Sequence, residues 1–117
     1  MRPKRQGGQR HPRRMRPFLE PAILILLKES PSHGYKILDD LSAFDMQGMN
    51  ASMVYRMLAR MERFEWIQST LEASEKTGPA RKSYQLTDEG KEILKHWIEK
   101  LEIQREKLDQ MILRAKK

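Results

Sequence analysis

Residues 50–90 read NASMVYRMLARMERFEWIQSTLEASEKTGPARKSYQLTDEG, and the spacing of their apolar positions changes twice. Asn50 is a good N-cap, and after it Val54, Met57, Leu58 and Met61, with Phe64 or Met53, recur at intervals of three and four. That spacing predicts a helix over Ala51 to Phe64 with one buried stripe. From Ile67 the period drops to two. Ile67, Ser69 and Leu71, and then Ser83 and Gln85 against Tyr84 and Leu86, predict two short strands. Glu75-Lys76-Thr77-Gly78-Pro79-Ala80 would be the broad loop of their hairpin. Thr87 then caps a further helix, with Asp88 and Glu89 in the first turn, where the helix dipole favours anions.

Upstream, Ile23, Leu26 and Leu27 share a helical face within Leu19–Glu29, and Ile25 broadens it, as in a helix buried on most sides. Pro31 and Gly34 end it within Glu29-Ser30-Pro31-Ser32-His33-Gly34. Ile37, Leu38 and Leu41 mark a second helix over Tyr35–Leu41. Downstream, Leu94, Leu101, Leu108 and Ala115 fall seven apart, with Trp97, Met111, Ile98 and Ile112 beside them and Gln104 interrupting. This is coiled-coil spacing on a helix with little of its own chain to pack against, so a partner helix is expected, most simply from a second copy. The expected dimer seam is Leu94, Trp97, Ile98, Leu101, Leu108, Met111 and Ile112.

The chain has 117 residues and 38% hydrophobic content, enough for one small core. With no cysteine, disulfides, Cys-ligated zinc, iron–sulfur clusters and thiol catalysis are excluded. The longest apolar run, Ala22 to Leu27, is far short of a membrane span, and a soluble cytoplasmic protein is expected. The net charge of +7 lies entirely in residues 1–17, where Arg2, Lys4, Arg5, Arg10, Arg13, Arg14 and Arg16 meet no acid. That block, with Gly7, Gly8 and its prolines, is expected to be disordered when free, a basic arm suited to a polyanion. A solubilising extension is the alternative, and Met15 offers a second start.

Three helices, a two-stranded hairpin and a long terminal helix, in this order, make an α+β, mainly α fold: a winged helix-turn-helix with an appended dimerisation helix. The expected division is an arm over 1–17, a DNA-binding domain over 18–87 and a dimerisation helix over 88–117. The motifs sharpen this. Ile23-Leu24-Ile25-Leu26-Leu27, His33-Gly34-Tyr35, Val54-Tyr55 with Leu58 and Met61-Glu62, and Arg81-Lys82-Ser83-Tyr84-Gln85-Leu86-Thr87-Asp88-Glu89-Gly90 resemble the PadR family of bacterial and archaeal transcriptional regulators, in its shorter, single-terminal-helix form. The resemblance implies a homodimer on a pseudo-palindromic operator, usually a repressor, released in some members by a small aromatic or hydrophobic ligand. Two departures from the family pattern stand out. Met53-Val54 stand where the family commonly has Gly and Leu, and Glu65 stands where it commonly has a glycine leaving the helix.

Within that frame, Ser52, Tyr55, Arg56, Arg60 and Arg63 on the outer face of the 51–64 helix are expected to enter the major groove of double-stranded DNA, where arginine can pair with guanine and tyrosine can reach phosphate or a thymine methyl. Lys76, Arg81 and Lys82 of the hairpin, and Arg13, Arg14 and Arg16 of the arm, are expected to meet phosphates. In some relatives aromatic residues of the last helix form a platform for planar molecules, which makes Trp97, Leu94 and Ile98 a candidate ligand site. No cofactor or metal is expected: His11, His33 and His96 lack ligand spacing, and Met53, Met57 and Met61 read as core. An enzyme is not expected, for want of a Ser/His/Asp order, a Gly-rich phosphate loop or a carboxylate pair in an apolar setting. The competing readings are a protein-interaction module built on the long helix and a sequence-independent nucleic-acid binder using the arm.

Overall fold

The computed structural model describes residues 15–72 and 81–117. A 3-10 turn, Arg16–Phe18, runs into helix α1 (Leu19–Glu29), and then come strand β1 (Ser32–His33), helix α2 (Gly34–Asp40), a second 3-10 turn (Leu41–Phe44) and helix α3 (Ala51–Arg63). Strands β2 (Ile67–Glu72) and β3 (Arg81–Leu86) lead to the long helix α4 (Asp88–Lys116). The expected three helices, hairpin and terminal helix are therefore present, as a winged helix fold with a small antiparallel sheet.

Helix α1 is the centre of the core because its sequence is apolar nearly all round. Leu19, Ile23 and Leu24 are buried, and Leu41, Val54, Leu58, Met61 and Ile67 close on them from the neighbouring elements. Ser30 then turns extended ahead of Pro31, which ends the helix. Helix α3 begins at Asn50, whose Oδ1 accepts a hydrogen bond from the Met53 amide at 3.2 Å. Val54, Leu58 and Met61 are its buried stripe, while Met53 and Met57 pack at the edge of the core.

The hairpin has the expected strands, paired from Ile67 with Leu86 to Glu72 with Arg81. The sheet also contains β1, which the sequence reading did not anticipate: Ser32 and His33 pair with Tyr84 and Ser83, giving the order β1-β3-β2. Two residues carry no readable period. Leu41, expected in the second helix, belongs instead to the 3-10 turn that follows it.

The exit from α3 is closed by α4. Glu65 adopts a left-handed backbone, φ 66°, the conformation that a glycine at this place would take freely. The single proton of the Thr87 hydroxyl is shared between the carbonyls of Glu65, 2.7 Å away, and Trp66, 2.9 Å away, while its oxygen accepts the Gly90 amide at 3.0 Å and the Thr87 amide donates to the Trp66 carbonyl at 3.1 Å. Gly90 lies so close to the Trp66 carbonyl that no Cβ fits between them.

Two boundaries differ from expectation. Arg16 and Pro17 do not belong to a disordered arm but open the 3-10 turn before α1. Along α4, Leu94 is buried in the chain's own core and is not free for a partner helix. Trp97 also packs on its own chain, its indole Nε1 donating to Glu20 at 2.6 Å. Beyond the half-buried Leu101 every residue of α4 is exposed, and the helix draws the molecule out to 61 Å. No helix among the described residues is long and apolar enough to cross a membrane.

Candidate nucleic-acid interface

Helical periodicity and burial together assemble the site. With Val54, Leu58 and Met61 turned inward, the opposite side of α3 presents Ser52, Tyr55, Arg56, Ala59, Arg60 and Arg63, all exposed. The five residues expected to read DNA thus share one face. Arg60 and Arg63 also lie in the last turn, where their charge suits the helix dipole. The Arg60 guanidinium stacks 5.7 Å from the centroid of Phe64, whose ring stacks on Trp66 in turn. Arg56 has no such tether among the described residues.

Tyr55 is held from below. Its ring lies over Gly34 at the start of α2, and a Cβ on that glycine would approach Tyr55 Cε1 to 2.5 Å. This gives His33-Gly34-Tyr35 a physical meaning: the missing side chain of the glycine leaves room for the Tyr55 ring to close on the start of α2. Tyr84, buried beneath, has its hydroxyl pKa raised by that burial, with Glu62 and Tyr55 pushing the same way.

The hairpin cations stand in different electrostatic settings. Lys82 Nζ is 3.8 Å from Glu62, whose other carboxylate oxygen accepts the Ser69 hydroxyl at 2.6 Å. Arg81 instead donates from Nη1 to the Tyr35 hydroxyl at 2.7 Å, with its guanidinium 5.5 Å from the ring centroid. His33 stacks on Tyr35 and reaches across β3 to Glu72, its Nε2 lying 2.7 Å from the carboxylate. The sequence reading missed Tyr35, His33, Glu72 and Glu62. Only the family motifs at 33–35 and 61–62 hinted at three of them, and nothing marked Glu72, since the bonds join residues up to 46 positions apart.

Of the expected arm and hairpin contacts, Arg13, Arg14 and Lys76 lie outside the described residues. Arg16 is exposed in the 3-10 turn, and its neighbours Pro17 and Phe18 line a hollow of about 500 Å³ with Trp97, Lys100 and Lys107, which places it on the α1–α4 side. Of the three residues grouped as a ligand site, only Trp97 lines this hollow. Leu94 is core, and Ile98 is exposed outside the hollow.

The model of the PadR-like family of transcriptional regulators matches residues 23–96, from the middle of α1 through the sheet to the first turns of α4. The chain belongs to that family. No curated protein matches its sequence. Among solved structures, a PadR-like transcriptional regulator from Bacillus cereus is 26% identical with a TM-score of 0.75, over 86% of this chain and 96% of that one. A putative transcriptional regulator from Thermoplasma acidophilum is 25% identical with a TM-score of 0.74, over 86% and 95%. PadR of Bacillus subtilis, solved in complex with operator DNA, is 28% identical with a TM-score of 0.62, over 69% of this chain and 47% of that longer one. The PadR-like match takes in α3, both hairpin strands and the Thr87–Gly90 closure, so every element described above as building the site lies within it.

Proposed function

We propose that this PadR-like chain is a homodimeric, sequence-specific DNA-binding regulator, acting as a repressor on a pseudo-palindromic operator. The observation that carries the proposal is the face of α3: Tyr55, Arg56, Arg60 and Arg63 stand together and exposed, on a helix that follows a helix-turn element and is flanked by a basic hairpin. An arginine-rich helix of this placement suits the major groove, and the hairpin suits the flanking phosphates. The operator-bound structure of the Bacillus subtilis relative supports the same partner. The second copy is proposed to join along the outer part of α4, where Leu108, Met111 and Ile112 are all more than half exposed. The test is a salt titration with a duplex carrying an inverted repeat from the chain's own promoter and with its scrambled version. Preferential binding of the repeat is expected, equal binding would reduce the chain to a sequence-independent binder, and no binding would leave a protein-interaction module.

A second reading concerns release. The hollow beside Trp97 has the size of a small-molecule site, and it combines an indole, Phe18 and Ile103 with Lys100 and Lys107. A planar hydrophobic molecule, most readily one with an acidic group, fits that lining. Titrating planar aromatic acids against Trp fluorescence in a Trp66→Phe background should quench Trp97, and bound operator should weaken the quenching. Unchanged fluorescence would leave Trp97 as a packing residue.

A further inference from the structure

A cross-strand Glu72–Arg81 pair at the base of the hairpin loop would ordinarily join as an ion pair and cancel. Here the two charges are held apart. His33 takes the Glu72 carboxylate from the β1 side of the sheet, and Arg81 turns to the hydroxyl and ring of Tyr35. Among the described residues Arg81 has no carboxylate within salt-bridge distance, so its charge is tethered by a neutral partner and left uncompensated. Lys82, next along the strand, is the contrasting case, with Glu62 beside it.

Tyr35 is half-exposed, and its hydroxyl spends a lone pair on Arg81 while keeping its own proton to donate. The planar guanidinium likewise keeps N–H groups free beyond the one engaged by Tyr35. An O–H and a fork of N–H donors on one hydrogen-bonded pair are complementary to the oxygens of a phosphodiester. Their location agrees, because Gly34, the residue before Tyr35, lies directly beneath the Tyr55 ring of the α3 face.

We infer that Tyr35 and Arg81 form a preassembled clamp for one DNA backbone phosphate, positioned by His33 and Glu72 and set beside the base-reading face of α3. This rests on the DNA-binding reading above and adds a contact to it. The clamp contributes affinity without sequence preference, and Tyr35 acts on the phosphate together with Arg81, not independently of it.

The experiment measures binding of a short mixed-sequence duplex across a salt series by wild type, Tyr35→Phe, Arg81→Gln and the double variant, with thermal unfolding confirming that each is folded. Arg81→Gln should flatten the slope of log affinity against log salt by about 0.9, one phosphate contact. Tyr35→Phe keeps the ring beneath the guanidinium and should weaken every duplex alike by roughly three- to tenfold. In the Arg81→Gln background the same substitution should cost little, because the clamp is already broken. Phosphate ethylation interference on the inverted-repeat duplex provides an independent readout, in which one interfering position in each half-site should vanish in Arg81→Gln. Single variants that bind like wild type, fully additive effects or an unchanged interference pattern would each overturn the clamp while leaving the DNA-binding reading intact. A wild type that binds no duplex would overturn both.

Discussion

Single backbone positions carry the sharpest consequences. Glu65 holds a left-handed φ of 66° at the exit of α3, and Glu65→Gly should raise stability by about 0.5–1 kcal/mol, seen as a higher urea midpoint at unchanged slope. The departure from the family glycine was legible in the sequence. That the backbone would keep the glycine conformation was not, because the Thr87 hydroxyl that fastens this turn comes from 22 residues further on. Gly34 behaves oppositely. Gly34→Ala places a methyl against the edge of the Tyr55 ring, a side chain that can swing away, so DNA affinity should fall more than thermal stability does. At Gly90 the obstacle is the Trp66 carbonyl, which belongs to the backbone and has no such freedom. Tyr84 adds a pH dependence whose sign follows from its raised hydroxyl pKa. Its contribution is intact below the ordinary value of 10.0 and is lost as pH rises through the higher folded value, because the unfolded chain gives up the proton first. Urea unfolding on either side of pH 10 should therefore lose stability more steeply in wild type than in Tyr84→Phe.

At the level of elements, the helices were legible because each has a one-sided or all-round apolar pattern, and the hairpin because its period is two. Strand β1 was not, since it exists only through its partners in β3. The basic face of α3 could be read residue by residue from its spacing. The hairpin side of the site could not, because whether Arg81 and Lys82 are free depends on Tyr35 and Glu62, which only the fold brings near. Helix α4 carries one periodic stripe whose two ends differ in burial. Its Leu94, Leu101 and Leu108 keep the spacing of seven, yet Leu94 is buried in the chain's own core and Leu108 faces outward at 53% exposure. Periodicity alone does not tell a position in the chain's own core from one left exposed by it. Thr87→Ala, which removes the cap of α4 and the hydroxyl proton shared between the two carbonyls of the α3 exit, should cost about 1–2 kcal/mol, measurable as a lower urea midpoint.

For the whole molecule, the proposal of a dimer joined along the outer part of α4 sets folding and assembly on different residues. Leu108→Glu leaves the core untouched and should give a monomer in sedimentation that retains its helical content but loses preferential operator binding. Leu94→Glu would bury a charge within the chain itself and should prevent folding. Deleting residues 1–14 is expected to weaken all duplexes alike and to flatten the salt slope by about 0.9 for each phosphate contact removed. The Thr87 joint carries this architecture further. Because Thr87 bonds to both carbonyls of the α3 exit, and Gly90 meets Trp66 without room for a methyl, the start of α4 has no hinge there. From Thr87 to Leu108 the helix is a rod of about 30 Å, so for a dimer joined at its outer end a tilt of about 5° moves each reading head by about 3 Å. That travel is close to the rise of one base pair, and a shallow change of crossing angle at the seam would thus retune which half-site separation the protein fits.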